Sequence, residues 1–381
     1  MLAAYDLNIA EHCGIDRYNR ELLGRLPKLR KDFRATTLPG RNASKTAQEK
    51  GFRSVSPQEI APGRHQTASI PLNRNFPDVL RNFVYAHIRA GEVLRRMGAD
   101  IFHCTKNYTV PAFASCAIVT TVHDVIPLAL SREYSASFPH VVWYRYNYGC
   151  SVRRSKRLIV ISKFTGDELL RFHPACRGKI RVIPLGCDPE FGACHGPESA
   201  RAAMLNLGVE GPYVLSMGGA EPRKNVQQLI GAFTLAPPKH HCLVIVGNRW
   251  RDRILHIPAG APVHILCGLS QSDLAAAYTA ASAFVFPSLY EGFGLPVLEA
   301  MACGVPVLVH NGAALPEVAG AAALTVDMRD GAACMAALRK VLSERSLADE
   351  LRAAGRERVG MFSWEKTARL TAEVYDEALS A

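Results

Sequence analysis

The chain has 381 residues, 48% of them hydrophobic and 21% charged, and a formal net charge of +11 at pH 7. This length and composition are ordinary for a soluble globular protein and sufficient for two domains with separate cores. The 11 cysteines are odd in number and never spaced C-x-x-C, which argues against both a zinc motif and a disulfide framework.

The positive charge is concentrated in the first half of the chain. Residues 1–190 contain 29 Lys and Arg against 16 Asp and Glu, a net charge of +13, whereas residues 191–381 contain 16 against 18, a net charge of −2. A basic half can bind nucleic acid, anionic lipid or a phosphorylated substrate. Because no helix-turn-helix, RNP-type or zinc-finger pattern is present, we expect no nucleic-acid partner.

The sequence also predicts the cellular compartment in which the protein is found. Near the N-terminus, Asp6 and Glu11 interrupt the apolar residues, so no signal peptide is predicted. The longest uncharged runs, such as 107–122, contain proline and polar residues and do not predict a membrane span. We therefore expect a cytoplasmic protein with reduced thiols.

Short apolar runs alternate with helical patterns through the first half, as in a parallel sheet covered on both faces. The pattern starts with a strand at Leu2–Tyr5, a loop to Gly14 and a helix. A glycine before a helix is often only a turn, so Gly14 alone has two interpretations. The later predicted elements are an irregular segment at 41–76, a helix at 78–97, strands at 101–103 and 117–122, a helix at 134–151, a strand at 157–161, a helix capped by Ser162 and a strand at 180–183.

The predicted strand at 117–122 delivers His123 and Asp124 at its end. In open α/β sheets, ligands bind at the carboxyl ends of the strands, so this position suits a functional side chain. A histidine at a strand end is nevertheless often structural, and the position alone does not decide between the two roles.

The second half begins with a predicted strand at Tyr213–Met217 that runs into GGAEPRKN, and a further strand is predicted at 242–246. Gly218 and Gly219 follow the strand, and Arg223 and Lys224 precede a helix predicted at 226–236. Cations at a helix start oppose its dipole unless an anion lies between them, so this loop predicts an anion site. We expect both side chains to gain a partner only when that anion binds.

The segment 283–310 predicts a strand at 283–286, a loop, a helix and a second strand. Pro296 suits the first turn of the helix, and Gly304 suits the left-handed position after its end. Gly292 and Gly294 allow a ligand to approach the positive end of the helix dipole closely, and a phosphate fits there. Two acids accompany this site: Glu291 lies in the loop, and Glu299 lies about one turn inside the helix, able to point back to the same crevice. Each acid alone could also be a solvated charge or a favourable first-turn acid.

The block PSLYEGFGLPVLEAMACGVPV closely resembles the C-terminal signature of the retaining glycosyltransferases of family 4, which have the GT-B fold. This resemblance implies an α/β fold of two Rossmann-like domains, with parallel sheets facing across a cleft and a C-terminal helix that crosses back to the first domain. The implied domains are residues 1–190 for acceptor binding, residues 191–362 for the nucleotide sugar, and residues 363–381 for the returning helix.

The resemblance also implies roles for individual residues. Glu291 would be the acid beside the donor sugar, and Glu299 would hold the ribose hydroxyls. Arg223 and Lys224 would neutralise the donor diphosphate. The catalytic set is completed by His123, whose HDVIPL loop resembles the family loop that contacts the donor sugar. The donor-binding set further includes Gly14, Gly218, Gly219, Gly292, Phe293, Gly294 and Leu295. Where family members commonly carry a GIGRY-like motif, this chain has GIDRY, a departure that affects the loop around Gly14.

The reaction implied is retaining transfer of a hexosyl group from a nucleotide sugar. No Asp-x-Asp pair is present, so we expect no metal and no other cofactor. HDVIPL resembles bacterial mannosyltransferases of surface polysaccharide assembly, which favours GDP-mannose as donor and a lipid-linked or oligosaccharide acceptor in exopolysaccharide, O-antigen or other glycan synthesis.

Several alternatives remain open. They are a UDP-sugar donor with a soluble acceptor, a donor-binding pseudoenzyme, and an epimerase or phosphorylase of the same fold. A dinucleotide oxidoreductase is less favoured, because neither glycine loop makes a G-x-G-x-x-G fingerprint.

Two basic clusters of the first half suggest an anionic membrane surface as a partner. Family members often use polyprenyl-diphosphate-linked acceptors, and each Lys or Arg near an anionic leaflet contributes roughly 1 kcal/mol. We therefore expect peripheral, salt-sensitive binding at the inner face of the cytoplasmic membrane. The clusters are Arg81, Arg89, Arg95 and Arg96, and Arg153, Arg154, Lys156 and Arg157.

Overall fold

A computed structural model describes residues 1–5, 14–29, 34–37, 90–105, 107, 110–131, 138–192, 196–247, 249–250 and 253–381. The chain forms two compact units: unit 1 consists of Met1–Pro184 and Glu365–Ala381, and unit 2 of Leu185–Trp364. The irregular segment predicted at 41–76 lies outside the described residues, as do the first residues of the helices predicted at 78–97 and 134–151.

Unit 1 contains a six-stranded parallel sheet in the order β2-β1-β3-β4-β5-β6. The strands are short and apolar because both faces of a parallel sheet are covered. Their bounds are β1 Leu2–Tyr5, β2 Arg34–Thr37, β3 Ile101–Cys104, β4 Ala117–Val122, β5 Arg157–Val160 and β6 Ile180–Val182.

Six α-helices of the described residues belong to unit 1. The bounds are α1 Gly14–Leu29, α2 Ala90–Met97, α3 Ile126–Ala129, α4 Phe138–Arg154, α5 Lys163–Phe172 and, at the far end of the chain, a helix at Trp364–Leu379. The predicted cap of α5 is present, because the Ser162 side chain accepts a hydrogen bond from Thr165 N at 3.0 Å. The short helix α3 was not predicted: the Asp124 side chain accepts from Ile126 N at 3.0 Å and turns the HDVIPL segment into one helical turn.

The helix Trp364–Leu379 returns the chain from unit 2 to unit 1. Tyr375 is fully buried, and its hydroxyl lies 2.7 Å from His103 Nδ1 on β3. Near the helix end, Glu377 pairs with Arg157 at 2.7 Å and with Arg181 at 2.6 Å. This helix therefore joins β3, β5 and β6 through buried and half-buried polar contacts.

Unit 2 contains a second six-stranded parallel sheet, in the order β11-β8-β7-β12-β13-β14. Taken in sequence, this is the 3-2-1-4-5-6 order of doubly wound nucleotide-binding sheets, in which the order reverses between the first and fourth strands. The bounds are β7 Tyr213–Met217, β8 Cys242–Val246, β11 Val263–Leu266, β12 Ala283–Phe286, β13 Val307–His310 and β14 Ala323–Val326. A separate hairpin pairs β9 Arg249–Trp250 with β10 Arg253–Ile254.

Helices cover this sheet and bury its apolar core. Leu229, Ile230 and Phe233 pack in one cluster with Leu243 of β8, and each is at most 3% exposed. Burying a side chain of this size contributes roughly 1.5–3 kcal/mol, so this packing is a major source of stability. The helices are α6 Pro197–Asn206, α7 Val226–Leu235, α8 Gln271–Thr279, α9 Leu295–Ala302, α10 Leu315–Ala319, α11 Gly331–Ser343 and α12 Arg345–Val359, so that Trp364–Leu379 is α13.

The fold class predicted from the sequence is confirmed: the chain is α/β, with two parallel sheets and a C-terminal helix that rejoins the first unit. Strands β4, β7, β8 and β12 have the predicted bounds. The roles assigned to the two domains stay predictions. Within the described residues, no helix is both long enough and apolar enough to cross a membrane.

Part of the predicted basic surface is matched by acidic side chains. Arg95 and Arg96 both pair with Glu92, at 2.8 Å and 2.7 Å, and Arg157 pairs with Glu377. Arg81 and Arg89 lie outside the described residues.

Candidate donor site

The loops that follow β7 and β12 meet where the strand order of unit 2 reverses. Gly218 and Gly219 follow β7, and the chain then makes a 3-10 turn at Pro222–Lys224. Asn225 follows in the left-handed conformation, with φ 56°, and α7 begins at the next residue. Since adjacent parallel strands end at one edge of a sheet, this reversal point is where a nucleotide is expected to bind.

Two positions in these loops require glycine. Gly218 has φ +143°, and a Cβ there would lie 3.0 Å from Val226 Cγ2. Gly294 has φ +117° at the start of α9, and a Cβ there would lie 2.8 Å from Leu315 Cδ2. Both loops therefore need a residue without a side chain, for reasons of conformation as well as space.

A carboxylate from the second loop joins the two cations of the first. Glu291 Oε1 accepts from Lys224 Nζ at 2.6 Å, from Arg223 Nη1 at 3.0 Å and from Ser288 Oγ at 2.6 Å. Arg223 Nη1 also donates to the Tyr290 carbonyl at 3.0 Å. The loops after β7 and β12 are thus held together by charge-assisted hydrogen bonds.

A second carboxylate contacts the same arginine. Glu221 Oε2 lies 2.7 Å from Arg223 Nη2, and the two side chains are 21% and 11% exposed. The expectation that Arg223 and Lys224 gain a partner only when an anion binds is therefore wrong. Carboxylates of the same unit already neutralise both cations, which removes the electrostatic conflict with the start of α7.

The pKa of Glu291 is lowered by its neighbours. Burial alone would raise it, but the Lys224 and Arg223 charges, together with the hydrogen bonds from Lys224 and Ser288, outweigh burial. Glu291 is consequently ionised at neutral pH. The interpretation of Glu291 as a solvated loop charge does not hold, because its side chain is only 14% exposed.

Glu299 lies on α9, as predicted, but in a more enclosed position than a first-turn surface acid. It is 4% exposed, and Tyr278 Oη donates to its Oε2 at 3.0 Å. Gly292 and Phe293 are buried just before the helix, and Leu295 is half-buried as its first residue. The predicted unit 2 residues therefore converge on the loops after β7 and β12 and on the start of α9.

His123 lies in unit 1, at the carboxyl end of β4, and is 6% exposed. Its backbone N donates to Asn107 Oδ1 at 2.7 Å, and its Nε2 lies 3.0 Å from the Thr105 carbonyl. A carbonyl only accepts, so Nε2 carries the proton and donates, which leaves Nδ1 as an acceptor. Burial lowers the pKa of His123 to about 4, although the bond to Thr105 opposes this.

An uncharged polar network lies beside His123. The Tyr18 ring meets the His123 ring edge-on at 5.1 Å, and the Tyr18 hydroxyl lies 2.9 Å from Thr121 Oγ1. Thr121 Oγ1 in turn lies 2.8 Å from His103 Nε2, and His103 Nδ1 reaches Tyr375 on α13. Burial, with a smaller contribution from His123, lowers the pKa of His103 to about 3, so both rings are neutral.

Gly14 is the first residue of α1 and is exposed. A Cβ at this position would meet no heavy atom within 4 Å, so local packing does not require a glycine there. In the described part of unit 1, Gly14 and His123 are the predicted site residues, and the other predicted site residues all lie in unit 2.

Several contacts of the site were not predicted. Thr105 and Asn107 follow β3, the neighbour of β4, so the rule that ligands bind at strand ends applies to them as it does to His123. Glu221 and Ser288 are ordinary loop residues in the sequence, and only the spatial approach of the two loops reveals their role. Among the described residues, no group of three or more His, Cys, Asp or Glu side chains is arranged to hold a metal ion.

Two family profiles match the chain. The one described as Glycosyltransferase Family 4 matches residues 13–191, and the one described as Glycosyl transferases group 1 matches residues 202–358.

The matches to similar proteins cover between 69% and 100% of the chain. O-antigen chain mannosyltransferase B of Escherichia coli is 30% identical over 372 residues, which is 95% of each chain. Serotype-specific mannosyltransferase WbdA of E. coli is 30% identical over 275 residues, and this match spans 69% of the chain but only 34% of WbdA. Among solved structures, sucrose-phosphate synthase of Thermosynechococcus elongatus has a TM-score of 0.73 at 22% identity, and the match covers 100% of this chain and 99% of that one.

Proposed function

Because the chain belongs to glycosyltransferase family 4, we propose that it transfers a mannosyl group from GDP-mannose to a growing surface glycan, with retention of configuration. The observation that carries the proposal is the 30% identity, over 95% of both chains, with an O-antigen chain mannosyltransferase. The HDVIPL segment supports the choice of mannose, because it resembles the same class of enzymes.

The geometry of unit 2 supports a role in binding the donor diphosphate. Negative charge grows on the leaving phosphate oxygen as the glycosidic bond breaks, and preorganised cations stabilise that charge. Arg223 and Lys224 lie in the loop after β7 and are held in place by Glu291 of the loop after β12. Glu299 at the adjacent helix holds the ribose in this proposal, and Glu291 lies beside the sugar.

His123 contributes a neutral contact to the donor sugar in this proposal. Its Nδ1 can accept a hydrogen bond, and its Nε2–H is held by the Thr105 carbonyl. A neutral ring of this kind suits a sugar hydroxyl and does not supply a proton at neutral pH. The leaving phosphate acts as the base for the attacking acceptor hydroxyl, so the reaction requires no protein nucleophile.

A panel of sugar nucleotides tests the donor. GDP-mannose, other GDP-sugars and UDP-sugars are compared for thermal stabilisation and for slow hydrolysis. A ligand at about 100 times its Kd stabilises a protein by about 2.7 kcal/mol, which a melting curve detects. GDP-mannose is expected to respond most strongly. If only a UDP-sugar responds, the donor assignment is wrong but the protein is still a glycosyltransferase. Binding without hydrolysis or transfer would instead favour a pseudoenzyme. The anomeric configuration of a transferred sugar tests retention.

Metal independence is part of the proposal, because Arg223 and Lys224 supply the positive charge that a metal ion supplies in other transferases. Activity is therefore expected to survive excess chelator. Loss of activity that added magnesium or manganese restores would contradict this assignment.

The acceptor side of the proposal includes an anionic membrane surface. Arg153 and Arg154 end α4, and Arg154 lies 5.8 Å from the centre of the Phe113 ring, which is 78% exposed. Tyr146, about two helical turns earlier, is 52% exposed. Cations beside exposed aromatic rings suit a lipid interface that holds a polyprenyl-diphosphate-linked acceptor.

Vesicle flotation at low and high salt tests the membrane proposal. Wild-type protein is expected to bind anionic vesicles at low salt and to dissociate at high salt, since surface attraction is screened. The double variant Arg153→Ala/Arg154→Ala is expected to bind less well than Arg95→Ala/Arg96→Ala, whose arginines share Glu92. A wild-type protein that ignores anionic vesicles even at low salt would favour a soluble acceptor.

A further inference from the structure

The carboxylates around Arg223 and Lys224 compete with any anion that binds there. We infer that Glu221 is a displaceable counter-ion: it holds Arg223 in the free protein and yields it to the diphosphate of the donor. This inference rests on the proposed function of the cluster. It makes Glu221 a positioning residue, which acts on the diphosphate through Arg223.

Local backbone structure sets the position of Glu221. It precedes the turn Pro222–Lys224, and its carbonyl accepts from Lys224 N at 2.9 Å. The side chain therefore leaves the backbone two residues before Arg223 and reaches Nη2 of the guanidinium at 2.7 Å. This contact depends only on neighbouring residues, so it forms in the free protein without help from a ligand.

The charges of the cluster cancel before a ligand binds. Arg223 and Lys224 carry two positive charges, and Glu221 and Glu291 carry two negative charges within contact distance. A diphosphate adds at least two negative charges. The four side chains are between 11% and 21% exposed, so water and salt screen the repulsion less than at an open surface. Diphosphate binding therefore requires at least one carboxylate to give up its cation.

Glu221 is held less firmly than Glu291. Glu291 Oε1 accepts from Arg223, Lys224 and Ser288, whereas in the described part of the chain Glu221 makes one ion pair, to Arg223. The two acids also contact different guanidinium nitrogens, Nη1 for Glu291 and Nη2 for Glu221. Displacing Glu221 exposes one edge of Arg223 and leaves the bonds between the two loops unchanged.

The test measures diphosphate affinity by calorimetry, with inorganic pyrophosphate and GDP as probes. Glu221→Gln removes the competing charge and keeps the side-chain shape, so the Kd for both probes is expected to fall roughly ten-fold. Glu221→Asp keeps the charge and is expected to show no such gain. The matched control is Glu350→Gln on an exposed part of α12, which changes the net charge equally but lies outside the cluster.

Kinetics provide a readout that a purely structural role would not produce. Glu221→Gln is expected to lower the donor KM and the inhibition constant of GDP together, without raising kcat, because the diphosphate product also leaves more slowly. A residue that merely supported the turn would lower the melting temperature and weaken binding. An unchanged or higher Kd in Glu221→Gln overturns the inference.

The two proposals fail in different ways. If Glu221→Gln binds pyrophosphate more tightly while GDP-mannose is not consumed, the donor assignment is wrong and the inference stands. If mannosyl transfer occurs but the Kd of Glu221→Gln equals that of wild type, the inference is wrong and the proposed function stands. If neither protein binds any diphosphate, both are overturned.

Discussion

The candidate site residues of the two units lie in opposite electrostatic environments. In unit 2, Arg223, Lys224 and Glu291 are ionised and bound to one another. In unit 1, His123 and His103 are buried and neutral. A charged cluster can exchange one anion for another, whereas a neutral histidine with a fixed tautomer can only accept or donate hydrogen bonds. In the proposed function, this contrast assigns the charged part of the donor to unit 2 and the hydroxyl groups to unit 1.

The largest expected effect comes from removing a cation of unit 2. Lys224→Ala is expected to lower kcat/KM on the order of 100 to 1,000-fold, the usual effect of losing one preorganised charge-stabilising group. It also removes the 2.6 Å partner of Glu291. Steady-state kinetics measure the effect, and Lys239→Ala, an exposed lysine of the same unit, is the control. Equal activity in the two variants would show that the charge of Lys224 does not contribute to turnover. The contrast between a charged site in unit 2 and a neutral one in unit 1 would then have no functional meaning.

Glu291 and Glu299, the two predicted site glutamates of unit 2, are expected to affect different kinetic constants. Glu291→Ala is expected to reduce kcat most, because Glu291 holds both cations and, in the proposed function, lies beside the reacting sugar. Glu299→Ala is expected to reduce nucleotide affinity, including affinity for the diphosphate product, since a ribose contact is equal in ground and transition states. Loss of the Tyr278 bond adds a stability cost of about 1–3 kcal/mol in Glu299→Ala. Equal losses of product affinity in both variants would contradict this division.

The neutral histidines of unit 1 predict a pH dependence of stability. The pKa of each is lowered in the folded state, to about 4 for His123 and about 3 for His103, from an ordinary 6.5. Such a group stabilises the fold above the unfolded pKa, and this stability is lost as pH falls from 6.5 towards the folded value. We expect the unfolding free energy to fall by roughly 3 kcal/mol for His123 alone over that range.

Denaturant unfolding at a series of pH values measures this loss. His103→Gln keeps hydrogen-bonding groups but does not titrate, so its stability is expected to change less between pH 6.5 and 4.5 than that of wild type. The carboxylates of unit 2 are the same in both proteins, so their titration cancels in the comparison and the difference between the two pH profiles reports on His103. Identical pH profiles for the two proteins would mean that His103 is protonated in the folded protein.

The smallest expected effect comes from the link between α13 and this network. Tyr375→Phe removes the hydroxyl that lies 2.7 Å from His103 Nδ1, and we expect a loss of about 1 kcal/mol in unfolding free energy with donor affinity nearly unchanged. Tyr146→Phe, at a 52% exposed position, is the control. A large loss of turnover in Tyr375→Phe would show that the network also orients His123.

Sequence patterns predicted the strands of unit 2 closely because each strand is a short apolar run bounded by turn residues. Strands β7, β8 and β12 have the predicted bounds, and Pro296 and Gly304 mark the two ends of α9 as expected. These features depend on local backbone chemistry, which a sequence contains directly. The strand-end rule also placed His123 correctly.

Contacts between loops that are far apart along the chain could not be predicted from the sequence. Arg223 and Glu291 are 68 residues apart, and no local pattern indicates that they pair. The buried network of Tyr18, Thr121, His103 and Tyr375 joins residues as far as 272 positions apart. The sequence therefore predicted loops that the structure brings together, but not how the charges of their side chains are balanced.

The return of α13 to unit 1 affects how the protein folds during synthesis. Domains usually fold as they emerge from the ribosome, with the N-terminal one first. Here unit 1 includes Glu365–Ala381, which the ribosome makes only after the whole of unit 2. Until then His103 lacks Tyr375, and Arg157 and Arg181 lack Glu377. Unit 1 is therefore translated first but completed last. While unit 2 folds, unit 1 of the nascent chain still lacks α13 and its contacts.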